Sequence, residues 1–294
     1  MRKRAIVITA ILLLCGITAF AAWRCLGASP KEQGFGMFSW SAEVLVPEEA
    51  EELFACASQA DISEVYQHFP KESLMPEGEA QAFVSGLRKK QIDVYALVGE
   101  AQWAYDAEGE SLIKRIQRIA DYNERQPQGG KICGMMVDIE PYLLEEWEDK
   151  QEKRPALMQS YLGCIQQGYR YAAQHDLEFW VCIPIFYDTS CPDVLETLVR
   201  DCCDGIAVMN YNRSDEYAQM AKEVELARLY GKGVICIYEL QQPGKHGLEE
   251  INTYANQGLE ALWQSAEGLE RQFQYDGLRF AYHYYQPLKE MLAE

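Results

Sequence analysis

Apolar runs of seven to nine residues alternate along the chain with longer segments whose apolar positions recur every three or four residues. The runs are GFGMFSW (34–40), ISEVYQHF (62–69), IDVYALVG (92–99), ICGMMVDIE (132–140), FWVCIPIF (179–186), GIAVMNY (205–211), GVICIYEL (233–240) and GLRFAYHYY (277–285). Runs of this length bounded by polar loops predict strands buried on both faces. The segments between them, 47–60, 78–91, 110–125, 154–175, 192–202, 214–231, 248–273 and a short one from 286, predict amphipathic helices. Pro47 followed by acids, and Ser214-Asp215 before EYAQMAKEVELARL, are helix-start signals. Strand and helix alternating eight times predict an α/β fold, a single-domain (β/α)8 TIM barrel over 34–294. The rival is an open doubly wound sheet, but no strand is followed by GxGxxG or GxxxxGK[ST].

A barrel of this kind works at the C-terminal ends of its strands. Side chains alternate along a strand, so Asp138 and Glu140 share a face with Gly134 and Met136 and are expected at the barrel mouth. Two carboxylates so close repel, which raises the pKa of one and prepares it to donate a proton. An acidic strand end that is solvated or paired with an Arg is the plainer alternative. The same parity turns Met209 and Tyr211 inward on the sixth strand and sets Glu239 in line with Ile235 and Ile237 on the seventh. Trp40, Trp103, Tyr105, Tyr142, Trp147, Tyr187, Tyr282, Tyr284 and Tyr285 all fall at or just beyond predicted strand ends, where aromatic side chains line ligand pockets or serve as core. The charged loop PYLLEEWEDKQEKR after Glu140 either covers the cleft or is simply solvated.

The first 27 residues, MRKRAIVITAILLLCGITAFAAWRCLG, begin with Arg2, Lys3 and Arg4 and continue uncharged from Ala5 to Trp23. They predict an export signal, either cleaved near Ala21 or retained as a transmembrane anchor, followed by a linker over 28–33. The basic end stays inside and the body is extracytoplasmic. The formal net charge of −18 opposes nucleic acid and anionic membrane surfaces as partners, and favours a neutral or cationic one. Membrane contact is therefore expected only through the N-terminal segment.

The ten cysteines include no CxxC. Cys133, Cys182 and Cys236 lie in apolar runs and read as small buried hydrophobes, whereas Cys191, Cys202 and Cys203 leave room for one disulfide. No HxH, HExxH or GxSxG occurs, so neither a metal centre, a cofactor site nor a nucleophilic serine is expected. A mononuclear metal site built from His68, His283 and the acids is the remaining metal alternative.

DIE closing a fourth strand and MNYN closing a sixth resemble glycoside hydrolase family 18, the chitinase-like (β/α)8 barrels. The resemblance implies Glu140 as general acid, Asp138 as the residue that orients a substrate acetamido group, and Tyr211 as the hydroxyl holding its carbonyl, with Asn212 beside it. This chain departs from that pattern at Met136, where the family has Asp, and in a Tyr/His cluster where the final strand usually carries Trp. Glu140-Pro141 together with Glu239 is similar instead to the retaining glycosidases whose fourth strand ends in Asn-Glu-Pro, although Ile139 replaces the Asn. That similarity keeps Glu140 as the acid and implies Glu239 as nucleophile. Both imply a hydrolase acting on an oligo- or polysaccharide held by Trp40, Trp103, Tyr187, Asn212, Tyr282, His283 and Tyr284. A non-catalytic glycan-binding or cell-surface barrel, and a metal-dependent hydrolase, are the alternatives from other classes.

Overall fold

A computed structural model describes residues 34–293. Its eight strands are β1 (Phe35–Ser39), β2 (Ile62–Gln67), β3 (Asp93–Val98), β4 (Gly134–Val137), β5 (Glu178–Pro184), β6 (Gly205–Met209), β7 (Gly233–Glu239) and β8 (Leu278–His283). They are parallel and close into a barrel in chain order, with β1 against β8 through Gly36 opposite Ala281 and Met37 opposite Tyr282. The main helices are α1 (Pro47–Gln59), α2 (Ala80–Lys89), α3 (Glu110–Glu124), α4 (Lys153–Gln174), α5 (Pro192–Asp201), α6 (Glu216–Tyr230), α7 (Gly258–Phe273) and α8 (Tyr285–Ala293). The architecture is the (β/α)8 barrel that the periodicity predicts.

Alternation sorts each strand between two cores. Val65, Val94, Met135, Val137, Phe179, Val181 and Val234 face the helices, while Phe38, Tyr66, Tyr95, Leu97, Met136, Trp180, Ile235 and Ile237 fill the barrel. With both faces covered, the strands read as continuous apolar runs. Inside, the Trp180 indole lies against the first residues of β6 and β7. A Cβ at Gly205 or Gly233 would come within 2.2 Å of that ring, so glycine is required at both. Below it Arg279 pairs with Glu64, which also accepts from Tyr66 Oη at 2.6 Å. Glu178 accepts from Tyr95 Oη at 3.0 Å and Trp180 Nε1 at 3.2 Å. This bonded floor closes the N-terminal end of the barrel and leaves the other end for chemistry.

Of the boundaries that differ from the periodicity, three bear on the site. β4 ends at Val137, not Glu140. Asp138 N still donates to Val98 O at 2.8 Å, but Pro141, with no N–H, then opens a 3-10 turn. The helix expected from 248 begins at Gly258 instead, because the preceding residues stitch the ends of β6 and β7 together. There Asn252 Nδ2 donates to Tyr211 O at 2.7 Å, and Tyr254 N and Thr253 Oγ1 donate to Glu239 O at 2.9 and 3.1 Å. β8 ends at His283, with α8 starting at Tyr285.

The eight described cysteines are all free, so the disulfide allowed for Cys191, Cys202 and Cys203 does not form; Cys202 and Cys203 are buried in the outer core. Among the described residues no helix is long and apolar enough to cross a membrane. The predicted signal or anchor over 1–27 and the linker over 28–33 lie outside the described residues.

Glu223 on α6 is fully buried, and both its carboxyl oxygens lack a hydrogen-bond partner. Burial pushes its pKa from 4.5 up to about 8. The folded chain therefore holds a proton that the unfolded chain releases, and the group costs stability increasingly as pH rises from about 4.5 through 8. Glu223→Met is expected to stabilise by about 2 kcal/mol at pH 8 and by less at pH 5. Thermal unfolding at the two pH values checks this, and a gain that is equal at both contradicts it.

Candidate active site

The C-terminal ends of the strands open on a cavity of about 930 Å³. This is the upper part of the ~300–1,000 Å³ range of small-molecule sites. Trp40 and Ser41 enter it after β1, Glu140, Tyr142 and Leu143 after β4, and Ile185 and Phe186 after β5. Met209 and Tyr211 come from β6, Glu239 and Gln241 from β7, and His283 and Tyr284 from β8. His246 and Leu248 complete it from the loop between β7 and α7. The wall is largely apolar and aromatic, with Glu140 and Glu239 contributed by strands from different sides of the barrel.

Glu239 is only 2% exposed, yet it is the best-solvated carboxylate in the site by protein groups alone. Its Oε1 accepts from the backbone N–H of Leu240 and Gln241 at 2.9 and 2.8 Å. Its Oε2 lies 2.8 Å from His283 Nδ1 and accepts from Gln241 Nε2 at 3.3 Å. Burial pushes its carboxyl up, but the His283 and Gln241 bonds outweigh it and hold the pKa below the ordinary value. Glu239 is thus an ionised group fixed in one orientation, and His283, expected on the wall as a sugar ligand, is also its hydrogen-bond partner.

Asp138 and Glu140 behave differently. Glu140 reaches the cavity wall and accepts a hydrogen bond from Tyr142 Oη. Asp138 stays half-buried beneath the wall, and its Oδ1 is buried and unpaired. Burial and the Glu140 charge push Asp138 well above the carboxylate range, while His283 and the Cys182 thiol pull the other way. The chain is tight here: a Cβ on Gly99 would lie 1.8 Å from Asp138 O, so only glycine lets the ends of β3 and β4 approach. Tyr211 lies between the two acidic groups. Burial raises its hydroxyl pKa well above the usual value, with Glu239 and then Asp138 adding to the effect, and its ring centre is 5.7 Å from that of His283.

Other expected contacts are placed elsewhere. Tyr282 is fully buried on the helix side of β8, where its hydroxyl accepts from Trp263 Nε1 at 2.8 Å, because alternation turns it away from the inward Ala281. Tyr187 is also fully buried, stacked on Trp147 in a cluster beneath the loop that follows β4. Asn212 folds back to accept from Ser214 N and Oγ at 3.0 and 2.7 Å. Trp103 borders a separate cavity of about 270 Å³ with His68, Arg115 and one side of Trp40. His68, whose pKa burial lowers, therefore stands in a different cavity from His283. Among the described residues no group of three His, Cys, Asp or Glu is arranged to hold a metal ion.

The loop after Glu140 is anchored rather than freely solvated: Arg154 lies 4.1 Å over the Trp147 ring and donates to Trp147 O at 2.6 Å. Gln241, Phe186 and the Tyr142 hydroxyl are site features that the sequence reading did not assign. Only Gln241 carried a usable signal, being two residues after Glu239 and so on the same side. Removing the His283 donor by His283→Leu is expected to raise the Glu239 pKa by about one unit. Carboxyl-carbon NMR titration of labelled Glu239 checks this, and an unchanged midpoint contradicts the assigned role of His283.

No protein-family model and no curated protein matches the chain. Solved structures do. An endo-1,4-β-D-xylanase of Clostridium thermocellum, comprising a carbohydrate-binding module and a glycoside hydrolase family 10 module with xylohexaose, is similar at TM-score 0.54 and 12% identity, covering 86% of this chain. The chain spans 59% of that protein's length. An intracellular xylanase of Thermoanaerobacterium saccharolyticum with xylotriose is similar at TM-score 0.54 and 13% identity over 86% of each chain. A glycoside hydrolase family 18 chitinase of Pseudoalteromonas aurantia is similar at TM-score 0.51 and 13% identity, over 87% of this chain and 98% of its own. At such identities the likeness is one of fold, and the chain has a glycoside hydrolase-like (β/α)8 barrel.

Proposed function

We propose that the protein is an exported glycosidase acting on an extracellular or cell-wall glycan, with Glu140 as general acid and Glu239 as nucleophile. The observation that carries this reading is the placing of two carboxyl groups on one cavity wall, one of them fixed by hydrogen-bond donors. Glu239 is held ionised by four donors, and Glu140, three residues beyond the end of β4, accepts from the Tyr142 hydroxyl. Export rests on the basic-then-apolar N-terminal 27 residues.

Glu140 gives its proton to the glycosidic oxygen as the bond from that oxygen to the anomeric carbon breaks. Glu239 forms a bond to the anomeric carbon from the other face. The resulting Glu140 carboxylate then takes a proton from water, the hydroxyl attacks the anomeric carbon, and the ester to Glu239 breaks. One glycosidic bond and one water become two hydroxyl groups, and the configuration is retained. The donors on Glu239 keep it anionic before attack and receive it again as the leaving carboxylate. Aromatic faces of Trp40, Tyr142 and Tyr284 supply stacking surface for sugar rings.

A second reading is favoured by one observation, that Tyr211 reaches the wall above the recessed Asp138. These two residues would hold the acetamido group of an N-acetylated sugar whose carbonyl oxygen attacks in place of Glu239. The two routes separate chemically. Glu140→Gln is expected to lower hydrolysis of chitin, peptidoglycan and glucan oligomers by at least 10³-fold while retaining binding. A 2-deoxy-2-fluoro glycosyl fluoride is expected to add its glycosyl mass to the peptide containing Glu239. Inhibition by a thiazoline analogue without such labelling selects the Asp138–Tyr211 route. Binding without cleavage by the unaltered protein overturns both routes in favour of a glycan-binding barrel.

A further inference from the structure

The polar side chains of the cavity are gathered toward one side of it. Around the closed barrel β7, β8 and β1 are neighbours, and β4, β5 and β6 form the arc that faces them. Glu239, Gln241, His283, Tyr284 and Ser41 come from the first arc. The second brings Leu143, Pro184, Ile185, Phe186 and Met209. Leu248 joins them from the loop beyond β7, which is tied over the end of β6 by Asn252 Nδ2 donating to Tyr211 O at 2.7 Å and Arg213 N donating to Ile251 O at 2.9 Å. From this division we infer that the leaving-group half of the cavity is built for a hydrocarbon aglycone in preference to a second sugar, so that the bond cut joins a glycan to an apolar group. The inference deepens the glycosidase reading and rests on its assignment of Glu140 as the acid.

Glu140 fixes which half is which. An acid that protonates the glycosidic oxygen stands beside that oxygen, so the group carried away lies on the acid's side and the reacting sugar lies toward Glu239. The apolar residues are the neighbours of Glu140. Leu143 N donates to Glu140 O at 3.1 Å, and the Tyr142 ring, whose hydroxyl bonds the Glu140 carboxyl, meets Phe186 edge-on with ring centres 5.4 Å apart. Met209 Sδ lies 3.9 Å from the same hydroxyl.

Few side chains on this half answer the hydroxyl groups of a sugar. The Tyr142 hydroxyl donates to Glu140, Tyr211 packs toward His283 with ring centres 5.7 Å apart, and His246 belongs to the exposed rim of the loop beyond β7. A second sugar would exchange its hydroxyl groups' bonds to water for contact with aliphatic side chains, which weakens binding. A hydrocarbon group loses no such bonds and covers apolar surface that water otherwise touches. Leu143 is 64% exposed and Phe186 36%. Scattered apolar residues on a surface are ordinary, but these two stand on the wall of one cavity, beside its acid.

The experiment uses the full chain carrying Glu140→Gln, in which cleavage is suppressed, and measures binding by calorimetry below the micelle concentration of each ligand. The ligands are the methyl, butyl and octyl glycosides of glucose, xylose and N-acetylglucosamine in both anomeric forms, with the 1,4-linked disaccharide of each sugar. A buried methylene is worth about fourfold in affinity, so burial of three or more predicts that, for the sugar bound best, octyl exceeds methyl by at least ~50-fold and exceeds the disaccharide by at least ~10-fold. Adding Leu143→Asn, at an exposed position, or Phe186→Gln is expected to cut the octyl-to-methyl ratio by at least ~3-fold. General damage to the fold would weaken both ligands alike and leave that ratio unmoved. Equal binding of methyl and octyl glycosides, a disaccharide bound as tightly as octyl, no binding of any octyl glycoside, or a ratio untouched by both substitutions overturns the inference. Hydrolysis of the same compounds by the unaltered protein is followed in parallel. An octyl preference that the substitutions reduce, with no cleavage, overturns the hydrolase reading and leaves the hydrocarbon-binding half standing, whereas Glu140-dependent cleavage of a disaccharide as efficient as that of the octyl glycoside does the reverse.

Discussion

Eight parallel strands covered on both faces have one place to put polar side chains without stranding them, which is their ends. The inner and outer cores are filled by alternate residues of the same strands, so a side chain's parity fixes whether it meets the helices or the barrel axis. That constraint puts Glu239 in line with Ile235 and Ile237, and Tyr211 in line with Met209. It also removes Tyr282 from the site, one position away from His283 on the same strand. The functional geometry of this protein follows from that two-residue period and from where each strand stops.

The two ends of the barrel resolve buried charge in opposite ways. At the floor Glu64 and Glu178 meet Arg279, Tyr66, Tyr95 and Trp180, giving a set of bonded groups with a cation among them. At the mouth Glu239 is stabilised by hydrogen-bond donors, and Asp138 keeps an unpaired oxygen beside Glu140. A satisfied carboxylate and a crowded pair of acids in one barrel mouth are the kind of unequal environments from which enzymes draw their acid and base assignments. The floor closes the barrel; the mouth leaves polar capacity unspent.

Much of this was legible in the sequence. Runs apolar on both faces marked all eight strands, and parity carried Glu140, Tyr211 and Glu239 to one cavity. What was lost depended on contacts between distant segments. Tyr187 and Tyr282 were grouped with the site because they are aromatic and close to strand ends, yet Tyr282 has the wrong parity and Tyr187 is held by Trp147 from another loop. The residues before Gly258 look helical by spacing but are held as a loop by bonds to Tyr211 O and Glu239 O. The partnership of His283 with Glu239 joins strands 44 residues apart in sequence, and nothing local in either segment announces it.

The central claim is that Glu140 and Glu239 act on a glycosidic bond as acid and nucleophile from opposite faces. Proton NMR of the anomeric signals during early hydrolysis of a glycan substrate, run with the unaltered protein and with Glu140→Gln, tests it most directly. The account predicts that the first product formed keeps the anomeric configuration of the substrate and that its formation depends on Glu140. A first product of inverted configuration, or one formed equally well without Glu140, would contradict it.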